Sequence, residues 1–136
     1  MVELPQPIYA EMLEHVRRGY PNEACGILAG ANGKIIKHYP TANAADEPET
    51  FSIIAAQDLL NIWNEIEGHE WDVFAYYHSH PRTQAYPSPR DIAYAQGWPG
   101  TYYLIFTLKD GPEQPGLRAF LIQNSAVQEE ETHIIR

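Results

Sequence analysis

Within HSHPRTQAYPSPRD, residues 78–91, two histidines flank a serine, and Ser88 stands three places before Asp91. If the first three residues are extended, side chains alternate faces, so His78 and His80 point one way and Ser79 the other. Their Cα atoms would then lie roughly 7 Å apart, close enough for two imidazoles to converge on one ion. Two histidines and a carboxylate suit zinc best, with a fourth position left for water when the site is catalytic. Asp91 is the candidate carboxylate, brought back by the intervening loop to the first turn of a helix. The same residues also have a purely structural reading. Ser88-Pro89-Arg90-Asp91 fits a capping box, and an aspartate at a helix N-terminus is favoured by the helix dipole. Locally both readings stand.

A hydrolytic zinc site also needs a base to take a proton from water, commonly a glutamate that does not itself ligate the metal. Glu23, just before the apolar run ACGILAG, is a candidate. Chemistry alone does not select it from the other glutamates of the chain.

These residues need elements to hold them. DVFAYYHSH, rich in aromatic and β-branched residues, reads as a buried strand that delivers the two histidines. SPRDIAYAQG reads as a short helix with serine as N-cap and Pro89 at the first helical position, where the missing N–H costs nothing. Upstream, IYAEMLEHVRRG places Ile8, Met12, Leu13 and Val16 at helical spacing. ACGILAG and GKIIKHY form a hairpin turning near Asn32-Gly33. PTANAADEPET is polar and aperiodic, an exposed loop of a length that tends to be functional or mobile. AAQDLLNIWNEIEG puts Leu59, Leu60, Ile62, Trp63 and Ile66 on one helical face. YYLIFTL and LRAFLIQ are strands around DGPEQPG, and SAVQEEETHII reads as a last edge strand. The sum is a single α/β domain over residues 1–136, a mixed sheet with helices packed on it and no internal repeat.

With 44% hydrophobic and 20% charged residues the chain has the composition of a folded globule. Its net charge of -9, with only Arg17-Arg18 adjacent, argues against nucleic acid. No segment approaches the ~18 apolar residues of a membrane span. One cysteine and no hydrophobic leader point to the cytoplasm.

Glu23, then His78-Ser79-His80, seven residues, Ser88, two residues and Asp91 resemble the JAMM motif of the MPN+ zinc metallopeptidases. NEACGILAG and YYHSHP resemble the flanks of that motif. The resemblance spans nearly the whole chain and implies a largely antiparallel sheet between helices, of the cytidine-deaminase-like kind. It implies one zinc ion per chain on His78, His80 and Asp91, with Glu23 as general base and Ser88 stabilising the tetrahedral oxyanion. No acyl intermediate is then required, and Cys25 packs as a small hydrophobe.

Members of that family cleave peptide or isopeptide bonds after the C-terminal Gly-Gly of ubiquitin-like proteins. The short connection from Asp91 to YYLIFTL leaves no room for the larger insertion by which eukaryotic members grip ubiquitin. That favours a ubiquitin-fold sulfur carrier as partner, with release of cysteine or a short C-terminal extension. Two other readings remain open, an MPN-fold interaction scaffold without catalysis and a JAMM peptidase of phage-tail or cell-wall type. A homodimer is compelled by no residue pattern. His15, His38, His69 and His133 read as surface residues, Tyr76 and Trp98 as core or turn residues, and Arg82 and Arg90 as flanking cations open to solvent or substrate.

Overall fold

Alternating burial along extended segments gives this chain a sheet with two apolar faces, and two amphipathic helices cover them. In the computed structural model, which describes residues 1–136, the order is β1 (Val2–Pro5), α1 (Gln6–Gly19), β2 (Cys25–Ala31), β3 (Lys34–Thr41), α2 (Ala56–Gly68) and β4 (Asp72–His80). There follow α3 (Pro89–Tyr94) with a 3-10 turn at Ala95–Gly97, β5 (Tyr102–Thr107), β6 (Gly116–Gln123), β7 (Ala126–Glu130) and β8 (Thr132–Ile135). Six strands form one sheet in the order β3-β2-β4-β5-β6-β7. All neighbours are antiparallel except β4 and β5. This is the largely antiparallel mixed sheet that the resemblance implies.

On one face, Ile8, Met12 and Val16 of α1 join Val2 and Leu4 of β1 over Leu28, Tyr77, Leu104 and Phe106. On the other, Ile62 and Ile66 of α2 cover Ile27, Tyr76, Tyr103 and Ile105. Each such side chain contributes roughly 1.5–3 kcal/mol when fully buried. Period-two alternation therefore places Tyr76, His78 and His80 toward α2 and α3, and Tyr77 and Ser79 toward α1. The hairpin between β2 and β3 turns at Asn32-Gly33, with φ of 54° and 77°, the left-handed pair that a two-residue turn requires. No helix is long and apolar enough to cross a membrane.

Several elements differ from the sequence expectation. The segment read as one edge strand is two. β7 closes the six-stranded sheet against β6, whereas β8 pairs in parallel with β1. Nothing local in the sequence marks a pairing between residues 2–5 and 132–135, so β1 escaped notice. On α2 only Ile62 and Ile66 are buried, while Leu60 and Trp63 are 54% and 45% exposed. Residues 42–50 of the loop before α2 are exposed or half-buried, as expected, while Phe51, Ser52 and Ile54 just after it are buried.

His38 and His15 correct the surface reading. His38 is buried, with Nε2 2.5 Å from Tyr77 Oη and Nδ1 3.2 Å from Glu11 Oε1. Burial pulls its imidazolium below the ordinary histidine range, against the pull of Glu11. His15 is half-buried and directs Nε2 at the carbonyls of Cys25, at 3.1 Å, and Thr41, at 3.2 Å. Two carbonyl acceptors assign its proton to Nε2. His69 and His133 are exposed.

Candidate metal centre

At the C-terminal end of β4, His78 and His80 emerge on the α2/α3 side of the sheet, and α3 brings Asp91 against them. His78 Nε2 and His80 Nε2 are 3.1 Å apart, His80 Nε2 and Asp91 Oδ2 3.1 Å, and His78 Nε2 and Asp91 Oδ2 3.3 Å. A tetrahedral ion with bonds of about 2.0–2.1 Å has donors about 3.3 Å apart, so this nearly equilateral triangle matches one face of a zinc coordination sphere. All three side chains are almost fully buried, at 1%, 5% and 4% exposure.

Backbone and side-chain contacts set the donors. His80 Nδ1 donates to the Gln84 carbonyl at 2.8 Å, which leaves the Nε2 lone pair facing His78 and Asp91. The loop holding Gln84 is tied to β5, where Thr107 Oγ1 donates to the Thr83 carbonyl at 2.5 Å. Ser88 Oγ accepts from Asp91 N at 3.1 Å, and Asp91 Oδ2 accepts from Ser88 N at 2.9 Å, a complete capping box. The two local readings of SPRD are thus one arrangement: the cap orients the carboxylate that meets the histidines. Burial opposes ionisation of Asp91, but the adjoining His78 and His80 rings and the hydrogen bond from Ser88 N outweigh it and hold the carboxyl well below the usual range. Burial also opposes charge on His80, and there Asp91 and the Gln84 carbonyl raise its pKa in spite of it.

Glu23 stands beside the two histidines. Donor atoms of Glu23, His78 and His80 lie within 4.8 Å of one another, and Glu23 is 4% exposed. Its Oε1 is buried and makes no protein hydrogen bond. Such an oxygen calls for a water partner, as a base beside a hydrolytic ion would have. Burial pushes its carboxyl up, while His78, His80 and the Ser52 hydroxyl pull it back. The donor set, its spacing and the orphaned oxygen all fit zinc.

Ser79, on the far face of β4, is fully buried. Its Oγ accepts from Ala24 N at 2.8 Å and its own N–H donates to the Ala24 carbonyl at 3.0 Å. The residue between the histidines thereby locks the residue next to Glu23 in register with the metal strand. Sequence reasoning gave Ser79 no task, because its partner is remote in the chain.

Tyr76 is a core residue, 1% exposed, with Oη 2.9 Å from Ser52 Oγ and its ring against His78, Tyr94, Trp98 and Tyr103 at 5.0–5.6 Å. Trp98 is half-buried and lines a groove of about 700 Å³ with Leu59, Leu60, Trp63, Val73 and Tyr94. The excess width of the apolar face on α2, beyond the ~100° stripe that burial requires, was the signal for that groove. Arg82 and Arg90 meet the loop before α2: Arg82 pairs with Glu49 at 3.2 Å, and Arg90 with Glu47 at 3.8 Å while lying over the Phe51 ring. Cys25 is fully buried, its thiol pushed up to about 11 by burial, which removes it as a nucleophile.

Residues 5–123 match the family described as prokaryotic homologs of the JAB domain. The CysO-cysteine peptidase of Mycobacterium tuberculosis is 36% identical over 126 residues, 91% of this chain and 84% of that protein. A desampylase of Haloferax volcanii is 35% identical over 100 residues, 69% of this chain and 71% of that protein. The solution structure of a Desulfitobacterium hafniense protein superposes with a TM-score of 0.84 at 34% identity, covering 99% of this chain and 93% of that one. With its motif residues gathered at one buried site and its match running through nearly the whole sheet, the chain belongs to the prokaryotic JAB domain family, the JAB/MPN fold.

Proposed function

We propose that this protein is a zinc peptidase that hydrolyses the bond following the C-terminal Gly-Gly of a ubiquitin-fold protein, a sulfur carrier, releasing cysteine or a short extension. The observation that carries it is the 3.1–3.3 Å triangle of His78, His80 and Asp91 faced by the unpartnered carboxylate oxygen of Glu23. The names of two relatives, a CysO-cysteine peptidase and a desampylase, support the substrate class.

His78, His80 and Asp91 would hold one zinc ion per chain. When bound, the ion lowers the pKa of water toward about 7 and polarises the scissile carbonyl. Glu23 takes a proton from the attacking water and returns it to the leaving amine, for which its buried, upward-shifted carboxyl is suited. Ser88 spends its acceptor lone pair on Asp91 N and keeps its hydroxyl proton for the developing oxyanion. The aromatic floor of Tyr76, Tyr94 and Tyr103 keeps bulk water from beneath the histidines.

The exposed groove beside α3 receives the folded body of the carrier. Its apolar lining suits an apolar patch on the partner. Glu23→Gln tests the chemistry: cleavage should fall by roughly 10²–10⁴ while bound zinc, measured by elemental analysis, stays at the wild-type level. Full activity in that variant would sink the mechanism.

A further inference from the structure

Glu23 sits two residues before β2 begins, beyond the end of the strand ladder, so something other than the sheet must fix its backbone. The loop between β3 and α2 does so. Glu23 N donates to the Pro48 carbonyl at 2.7 Å, and the Glu23 carbonyl accepts from Asn43 Nδ2 at 3.0 Å. Asn43 Nδ2 also donates to the Phe51 carbonyl at 3.0 Å, while Asn43 Oδ1 accepts from Ala45 N at 3.0 Å and Ile53 N at 3.1 Å. Carbonyls on one side and N–H groups on the other leave no ambiguity about the amide's orientation. The Phe51 contact places the next residue, Ser52, whose hydroxyl is 2.9 Å from Tyr76 Oη and draws the Glu23 carboxyl's pKa down. One amide thus holds the Glu23 backbone from one side and the segment carrying Ser52 from the other.

We propose that Asn43 is a positioning residue for Glu23, acting through its two Nδ2 hydrogens, a proposal that rests on Glu23 being the general base. Misplacing a reacting group by about 1 Å costs on the order of a hundredfold in rate. Asn43 touches neither ligand histidine, so its loss should leave the metal alone.

Two variants separate its roles. Asn43→Ala removes every contact. Asn43→Asp keeps the acceptor toward Ala45 and Ile53 but loses both donated hydrogens. Both variants should lower kcat roughly tenfold to a hundredfold with KM within about twofold, and retain wild-type zinc content. Amide hydrogen exchange supplies a readout that needs no substrate. The Glu23 N–H should exchange at least tenfold faster in both variants, while amides of β4 keep wild-type protection. Restoration of kcat and of Glu23 protection by Asn43→Asp would overturn the proposal, since the side chain would then serve only its own loop. Equal loss of protection across β4 in both variants would overturn it too, as a general structural role. Should wild type cleave no carrier, the exchange comparison would still decide whether Asn43 holds Glu23, whereas the function assigned to Glu23 would fall separately.

Discussion

His78, His80 and Asp91 stand with three lone-pair-bearing atoms 3.1–3.3 Å apart, an arrangement that repels itself unless a cation or protons lie between them. Their types and spacing were legible because a strand's alternation and a helix cap are local rules. Glu23 was not legible in that way: a glutamate in a turn looks like any other, and what places it is a set of contacts from Ser79, Asn43 and Pro48 far along the chain. Resemblance to a family supplied what local physics could not. His38 shows the opposite failure, an isolated histidine that packs inside because Tyr77 and Glu11 meet both ring nitrogens. Its folded-state pKa lies below its unfolded value of about 6.5, so the unfolded chain binds the proton more readily. Its contribution to stability is therefore complete above about pH 6.5 and is lost as the pH falls from there through the folded value. Thermal melts of wild type and His38→Gln at pH 7.5 and 5.5 should show the wild-type advantage shrinking at the lower pH, at no more than about 1.4 kcal/mol per pH unit. A constant or growing advantage would contradict the burial of a neutral imidazole.

Strand β4 carries the chemistry on one face and its own registration on the other. Ser79 contributes nothing to the metal side, yet its hydroxyl is the partner of the buried Ala24 N–H. Ser79→Ala should leave that N–H unsatisfied, lowering stability by about 1–3 kcal/mol in urea titration, and should reduce turnover by loosening Glu23 against the histidines. No change in the urea midpoint would mean that Ala24 finds another acceptor. Helix α3 places the cap and the carboxylate that meets the histidines in one turn, so one capping pattern in the sequence also fits the proposed metal ligand. The helices and central strands followed from periodicity and turn residues, since those signals lie within a dozen residues. The pairing of β1 with β8 did not, because it joins the two ends of the chain and depends on Val2 N meeting the Glu131 carbonyl.

Across the whole molecule, one face of the sheet is sealed by α1 and β1, while the other carries α2, α3, the buried site and the open groove beside it. Trp63 and Leu60 share an apolar helical face with Ile62 and Ile66 but stay exposed, which is what a docking surface would need. Trp63→Ala should raise KM for a folded carrier by roughly thirtyfold, as loss of an interface tryptophan does, with kcat little changed and a short Gly-Gly peptide cut as before. Equal losses on carrier and peptide would place the defect in the site rather than in docking. The central claim is that this site cuts behind the Gly-Gly of a ubiquitin-fold carrier. Its most direct test is the intact mass of such a carrier, ending in Gly-Gly-Cys, after incubation with the zinc-loaded protein. A product lighter by one cysteine residue, absent when the zinc is chelated and absent with Glu23→Gln, is the predicted result. A carrier that binds yet keeps its full mass would contradict it.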